Sequence, residues 1–388
     1  MITIGKRTRL RLVCAALVAS AVLVTTGCGK ANGQDTQGAV FAMTNVTADN
    51  RIVAYTRASD GSLTRNADNV STRGLGIGVD LDTQGSLRLS RDNRFLYAVN
   101  AGSDDLTVFS VSGSTLTFVQ RIAVGDQPVG LTLSGTLLYV LNGSVAGNGI
   151  TGFRIAADGT LTPIANSFRA LSSPIAVPGI VQFSPDGGLL LVTHKTANAL
   201  LTPVNTIDAF TVGSDGLASA MPVANASVGI RPFSLAFRAD GSVVVVEAFN
   251  AFAARSATSS YSVQATGAMT PVSRSIANGQ TDACWIVVSP DQRYVYTANF
   301  GSGTISSYAS ASNGTLSLLN GQAASLGATS QPVDVGISGD GRCLYQLLRG
   351  SGGVAPFRIE TDGSLTALGA AVIGGLPVAD GASGLAVY

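Results

Sequence analysis

Short apolar and alternating runs, bounded by glycine, proline, serine and aspartate, fill the chain from about residue 40 to its end. No helical period competes with them, so the chain is expected to be all-β. Tyr55, Phe109, Phe153, Phe210, Tyr261, Tyr308 and Phe357 each sit in one such run and recur at intervals of 44 to 57 residues. A spacing near 50 is that of one four-stranded propeller blade. In six of the seven, a glycine follows six residues later: Gly61, Gly159, Gly216, Gly267, Gly314 and Gly363. It usually follows Asp or Asn, which predicts a tight hairpin with both central residues at positive φ.

A second half-motif precedes each aromatic. Ser289-Pro-Asp-Gln-Arg-Tyr-Val-Tyr-Thr-Ala-Asn299 is its clearest copy, and proline six residues upstream, as at Pro128, Pro178, Pro232 and Pro332, suits the first position of a strand. Each unit therefore reads as four strands, a to d from the centre outward. The a–b and c–d turns are short. The b–c and d–a loops vary and share the opposite face, which is the expected functional face. The pattern begins with Phe41 to Asn45, a strand b, and ends with Gly384 to Tyr388, a strand a. The last strand is thus expected to complete the first blade and close a seven-bladed ring over residues 41–388.

The first forty residues differ. Lys6, Arg7, Arg9 and Arg11 precede an apolar run from Val13 to Val24, too short to span a bilayer comfortably. With Thr25-Thr26-Gly27-Cys28 following, residues 1–27 resemble a bacterial lipoprotein signal, although Thr25 stands where leucine is usual. The alternative is an ordinary secretory signal cleaved nearby. The resemblance implies lipid on Cys28, a flexible tether over residues 28–40, and a periplasmic or cell-surface protein. Composition agrees with a glycine-rich β protein: of 388 residues 46 are glycine, 12% are charged, and the net charge is +1. Losing residues 1–27 removes four basic residues and no acidic one, so +1 becomes −3. This balance, without a basic cluster in the body, excludes a nucleic-acid binder. Of the four cysteines only Cys284 and Cys343 lie in the body. They fall near opposite ends of their strands and are expected to be free thiols.

The two half-motifs resemble those of the lactonase-family seven-bladed propellers, which include 6-phosphogluconolactonase and 3-carboxy-cis,cis-muconate cyclase. The resemblance covers about residues 40 to 388. It implies a cofactor-independent lactonase carrying histidines on the variable face. Here Ala176 to Phe183 has none, and Phe233 and Ser234 would stand at the expected Arg-His pair. The fold is therefore expected to transfer, and the activity is open.

Candidate site residues fall at the variable face. Asn45, Asn100, Asn142, His194 and Asn299 end strand b, with Glu247 one residue short of that position. They either satisfy backbone groups or form a polar ring at the channel mouth. His194, Lys195, Arg231, Glu247, Arg255 and Asp282 lie in or beside the long b–c loops of units four and five, about 195–206 and 248–258. A lactone hydrolase needs a base and a cation, for which His194 or Glu247 and Arg231 or Arg255 are the candidates. One histidine and two body cysteines make no standard metal site, and no cofactor fingerprint stands in context. Two functions remain: a monomeric propeller that binds a small ligand or an envelope protein without catalysis, or a lactone hydrolase or cyclase.

Overall fold

The computed structural model describes residue 1 and residues 38–145, 147–195, 205–369, 372–378 and 380–388. The signal, Cys28, most of the tether, and residues 196–204 of the fourth unit's long loop lie outside them. The chain forms seven antiparallel sheets in a ring, each built as a, b, c, d from the centre outward. In blades 1, 3 and 7 the outer strand is broken into two short pieces that pair with the same strand c. Strand a of blade 1 is the C-terminal Ser383–Val387, which pairs with Gly38–Met43. The ring closes as the end motifs predict. Strand b of blade 1 starts three residues ahead of Phe41, because Ala39 and Val40 are also buried.

Both half-motifs are turn and staple devices. In the first, Ser289 Oγ donates to Asp291 Oδ1 (2.6 Å) and accepts from Tyr294 N–H (2.9 Å), so the a–b turn is tied to the start of strand b. Ser184 and Ser338 repeat the arrangement. In the second, the repeat glycines take positive φ, as at Gly61 (88°) and Gly159 (83°), but the Asp or Asn before each does not. The expected two-residue turn is instead a three-residue one. Gly61 N–H bonds Ala58 C=O (3.0 Å) and Ala58 N–H bonds Ser62 C=O (2.9 Å), a type I turn closed by a left-handed glycine. Asp60 stays at negative φ because its Oδ1 accepts Ser62 N–H at 2.9 Å.

In four blades the tyrosine of strand b binds the blade to the next. Tyr97, Tyr139, Tyr296 and Tyr345 are buried, and each hydroxyl donates to the carbonyl of the following blade's turn glycine, at Gly159, Gly216, Gly363 and Gly61. The last of these crosses the closure from blade 7 to blade 1. Apolar side chains between the sheets form the core. Cys284 and Cys343 are both buried, and no disulfide joins them.

Blade 2 departs from the repeat in a way that shapes the site. The link entering its strand a, residues 79–86, runs across the central channel. Thr83 Oγ1 donates to Val129 C=O in blade 3 (2.7 Å), and Gln84 N–H bonds Gly179 C=O in blade 4 (3.0 Å). Gln84 Oε1 accepts from Ser234 in blade 5 (2.5 Å) and from Ile286 N–H in blade 6 (3.1 Å), while its Nε2 donates to Ile286 C=O (2.9 Å). Gly85 N–H reaches Asp334 in blade 7 (3.4 Å). One short segment thus plugs the channel and ties together five other blades.

Candidate functional site

The residues that end strand b are at most 1% exposed. In five blades the side chain bonds a polar partner on the adjacent strand c: Asn100–Thr107 (3.0 Å), Asn142–Thr151 (3.1 Å), His194–Asp208 (2.9 Å), Glu247–Ser259 (2.6 Å) and Asn299–Ser306 (2.8 Å). Asn45 instead fixes its loop, donating to Val79 C=O at 2.6 Å and accepting from Ile77 N–H at 3.1 Å. These are the same buried contact repeated around the ring, with His–Asp and Glu–Ser as variants of Asn–Thr. Burial raises the Glu247 carboxyl, and the two serines and Gly229 N–H partly oppose that.

Arg231 has other neighbours. Its guanidinium reaches Asp82 (3.5 Å) and Asp282 (4.0 Å), and no hydrogen bond or ion pair among the described residues joins it to His194 or Glu247. Among the described residues no side-chain hydrogen bond or ion pair therefore joins the three catalytic candidates, although Glu247 pairs with Pro232, next to Arg231, across strands a and b. Arg255 is exposed, away from any side-chain partner among the described residues.

What the fold does assemble lies at the variable-face mouth of the channel. Lys195 Nζ bonds Asp82 Oδ2 at 2.7 Å and also Asp82 C=O, Arg231 shares that carboxylate, and Arg349 holds Asp80 Oδ2 at 2.6 Å. The cations come from blades 4, 5 and 7, and both carboxylates belong to the channel-crossing segment. Aromatic faces support the cations. Phe233 lies 4.7 Å from Lys195 Nζ and 5.9 Å from Arg231 Cζ, and Phe300 lies 5.0 Å from Arg349 Cζ. Trp285 packs between the two rings and donates Nε1–H to Thr83 C=O at 3.0 Å. Its role is packing, as its inner-strand position predicts.

Electrostatics follows burial. The Lys195 side chain is 2% exposed, and desolvation lowers its pKa while Asp82 opposes. Burial raises the carboxyls of Asp80 and Asp282, opposed by Arg349 and Arg231 respectively. Cys284 Sγ lies 3.5 Å from Asp282, and burial first, then that carboxylate, pushes the thiol well up, so it is no nucleophile. Asp82 is 41% exposed, which opens the cluster to solvent.

Sequence reasoning reached Lys195, Arg231 and Asp282 and missed Asp80, Asp82 and Arg349. A positional signal existed for the last. Lys195, Phe300 and Arg349 each directly follow the last residue of a strand b, and Arg231 and Asp282 each directly precede a strand a. These two offsets supply the mouth residues of blades 4 to 7.

The sequence profile of the family described as "Lactonase, 7-bladed beta-propeller" matches residues 48–183 and 206–328. No curated protein matches the chain. Among solved structures, a candidate 6-phosphogluconolactonase from Bacteroides fragilis is similar over 92% of this chain and 100% of its own, at 20% identity and a TM-score of 0.71. A periplasmic gluconolactonase from Pseudomonas aeruginosa is similar over 90% and 99%, at 17% identity and a TM-score of 0.68. Such identities carry the fold alone.

Proposed function

The chain belongs to the lactonase family of seven-bladed β-propellers, and from that premise we propose that it binds a small hydroxy acid or its lactone at the variable-face mouth. One observation carries this reading: cations from three blades converge there on two carboxylates of the chain's own crossing segment. A cluster that holds aspartate side chains between Lys195, Arg231 and Arg349, over aromatic faces, has the chemistry to hold a sugar acid. The names of the two structural neighbours point to the same ligand class. Lactone hydrolysis is the second reading. It is favoured by Asp282, a carboxyl raised by burial next to Arg231, which pairs a base for water with a cation for the developing oxyanion.

Calorimetry with gluconate, and acid release from gluconolactone above the spontaneous rate, test both readings. Binding is expected, weakened about tenfold by Lys195→Ala or Arg349→Ala and untouched by His194→Ala. Absence of gluconate binding at millimolar concentration counts against the site. Turnover abolished by Asp282→Asn establishes the second reading.

We also propose that the domain is exported and held at a membrane through lipid on Cys28, on the strength of residues 1–28. Cys28→Ser is expected to shift the protein from the membrane to the soluble fraction and to end incorporation of labelled lipid. Unchanged partition rejects the anchor.

A further inference from the structure

Beneath Gln84 the channel continues toward the tight-turn face as a cavity of about 330 Å³. Six inner strands wall it, through Leu87, Gln182, Leu235, Ile286, Val335 and Leu385. Leucine, isoleucine and valine side chains alternate in the wall with polar groups, among them Gln84, Ser90, Asn93 and Gln182. Its enclosed cation is Arg88, on strand a of blade 2, and Arg91 stands exposed at the rim.

Arg88 is unlike the other arginines that the fold encloses. Arg57 donates to Tyr388 C=O (3.0 Å) and Arg238 to Ala311 C=O (2.7 Å). Arg88 Nε is buried with no hydrogen-bond partner, and none of the ion pairs among the described residues includes Arg88. The nearby carboxylate of Asp334 is already engaged by Gly384 N–H (2.8 Å) and Gly85 N–H (3.4 Å). Gly85 makes room for the guanidinium. A Cβ there would lie 2.8 Å from Arg88 Nη2, and the residue's φ of +92° suits glycine. The fold thus clears space for a guanidinium beside the cavity and leaves its Nε without an acceptor, while Asp334 acts on it through its charge and not through a hydrogen bond.

We propose that this cavity is a second ligand site, separate from the variable-face mouth, which takes a small monocarboxylate with an apolar body. The planar fork of Arg88 holds a carboxylate through two parallel hydrogen bonds. The side chains of Leu87, Leu235, Ile286 and Val335 take the hydrocarbon part. With the Asp334 carboxylate already near the guanidinium, one further negative charge is easier to place than two, which favours a monocarboxylate over a phosphate dianion. The volume stands at the low end for ligand pockets, which suits an acid of this size.

Calorimetric titration of the whole protein with benzoate, hexanoate and inorganic phosphate tests the site. Benzoate and hexanoate are expected to bind in preference to phosphate. Arg88→Met is expected to weaken benzoate about tenfold or more, with a melting curve to confirm that the variant folds. Ala236→Phe, which fills the cavity from the blade 5 wall, blocks binding without touching the guanidinium and serves if Arg88→Met does not fold. Arg231→Ala at the opposite mouth leaves benzoate affinity unchanged. No benzoate binding at millimolar concentration, preference for phosphate, unchanged affinity in the cavity variants, or loss in Arg231→Ala each overturns the proposal. Since gluconate at the mouth is measured independently, the two sites fail separately.

Discussion

At Asp334 burial outweighs every favourable contact. Two backbone N–H groups and Arg88 favour its ionised form, yet desolvation pushes the carboxyl from an ordinary 3.8 up to about 6. The folded state therefore binds this proton more tightly than the unfolded chain does. Stability from this group is fullest below about pH 4 and falls as pH rises through about 6, the reverse of a salt-bridged aspartate. A gap of about two pK units corresponds to about 3 kcal/mol. Urea denaturation of wild type and Asp334→Asn across pH 4 to 7 checks this. The wild type is expected to lose up to about 3 kcal/mol relative to the variant over that range. Turn aspartates such as Asp92 and Asp186, whose Ser partners lower them, act oppositely but are common to both proteins and cancel. Parallel curves would show that Asp334 ionises in the fold as it does in water.

Among the elements, the channel-crossing segment does most to distinguish this propeller from seven copies of a blade. Gln84 alone serves Ser234 and Ile286 on two different blades. Gln84→Ala leaves a hydroxyl, an N–H and a carbonyl without these partners, and an unsatisfied buried group costs about 1–3 kcal/mol. Urea denaturation of this variant is expected to show a loss of about 2 kcal/mol or more; an unchanged midpoint would show that the segment rests in the channel without supporting it. This element also marks where the sequence stopped being legible. Strands, turns and closure could be read because each is encoded locally: a serine two residues from an aspartate, a glycine six residues past an aromatic. Lys195, Arg231 and Asp282 could be read because they lie in or beside the long variable loops of units four and five. Asp80 and Asp82 lie in a linker that lacks the repeat's proline, and the segment's partners, such as Ile286, stand about two hundred positions away. No local pattern encodes such a contact. The polar ends of strand b were ambiguous for a different reason. Their residue types fitted both a ligand ring and a buried bond, and only the neighbouring Thr107, Asp208 or Ser259 decides which.

For the whole molecule, stability depends on the ring being closed. Strand-b tyrosines tie four of the blades to the next, and Tyr345 to Gly61 makes that bond across the join. The C-terminal strand supplies the rest: it pairs with Gly38–Met43, Tyr388 exchanges two backbone hydrogen bonds with Ala39, and Arg57 donates to Tyr388 C=O. Removing residues 383–388 withdraws Leu385 and Ala386 from the core, worth about 3 kcal/mol in burial. It also leaves the inner edge of blade 1 unpaired and uncovers Phe41 and Leu87, which are otherwise fully buried. Against a total of about 5–15 kcal/mol for a folded domain, that loss is a large share. Because the opened blade contacts its neighbours through the same core, the damage spreads around the ring. The truncated chain is expected to melt far below the full one, or to remain unfolded, in a thermal scan followed by circular dichroism. An unchanged melting temperature would mean that blade 1 holds together on three strands and that closure is ornamental to this fold.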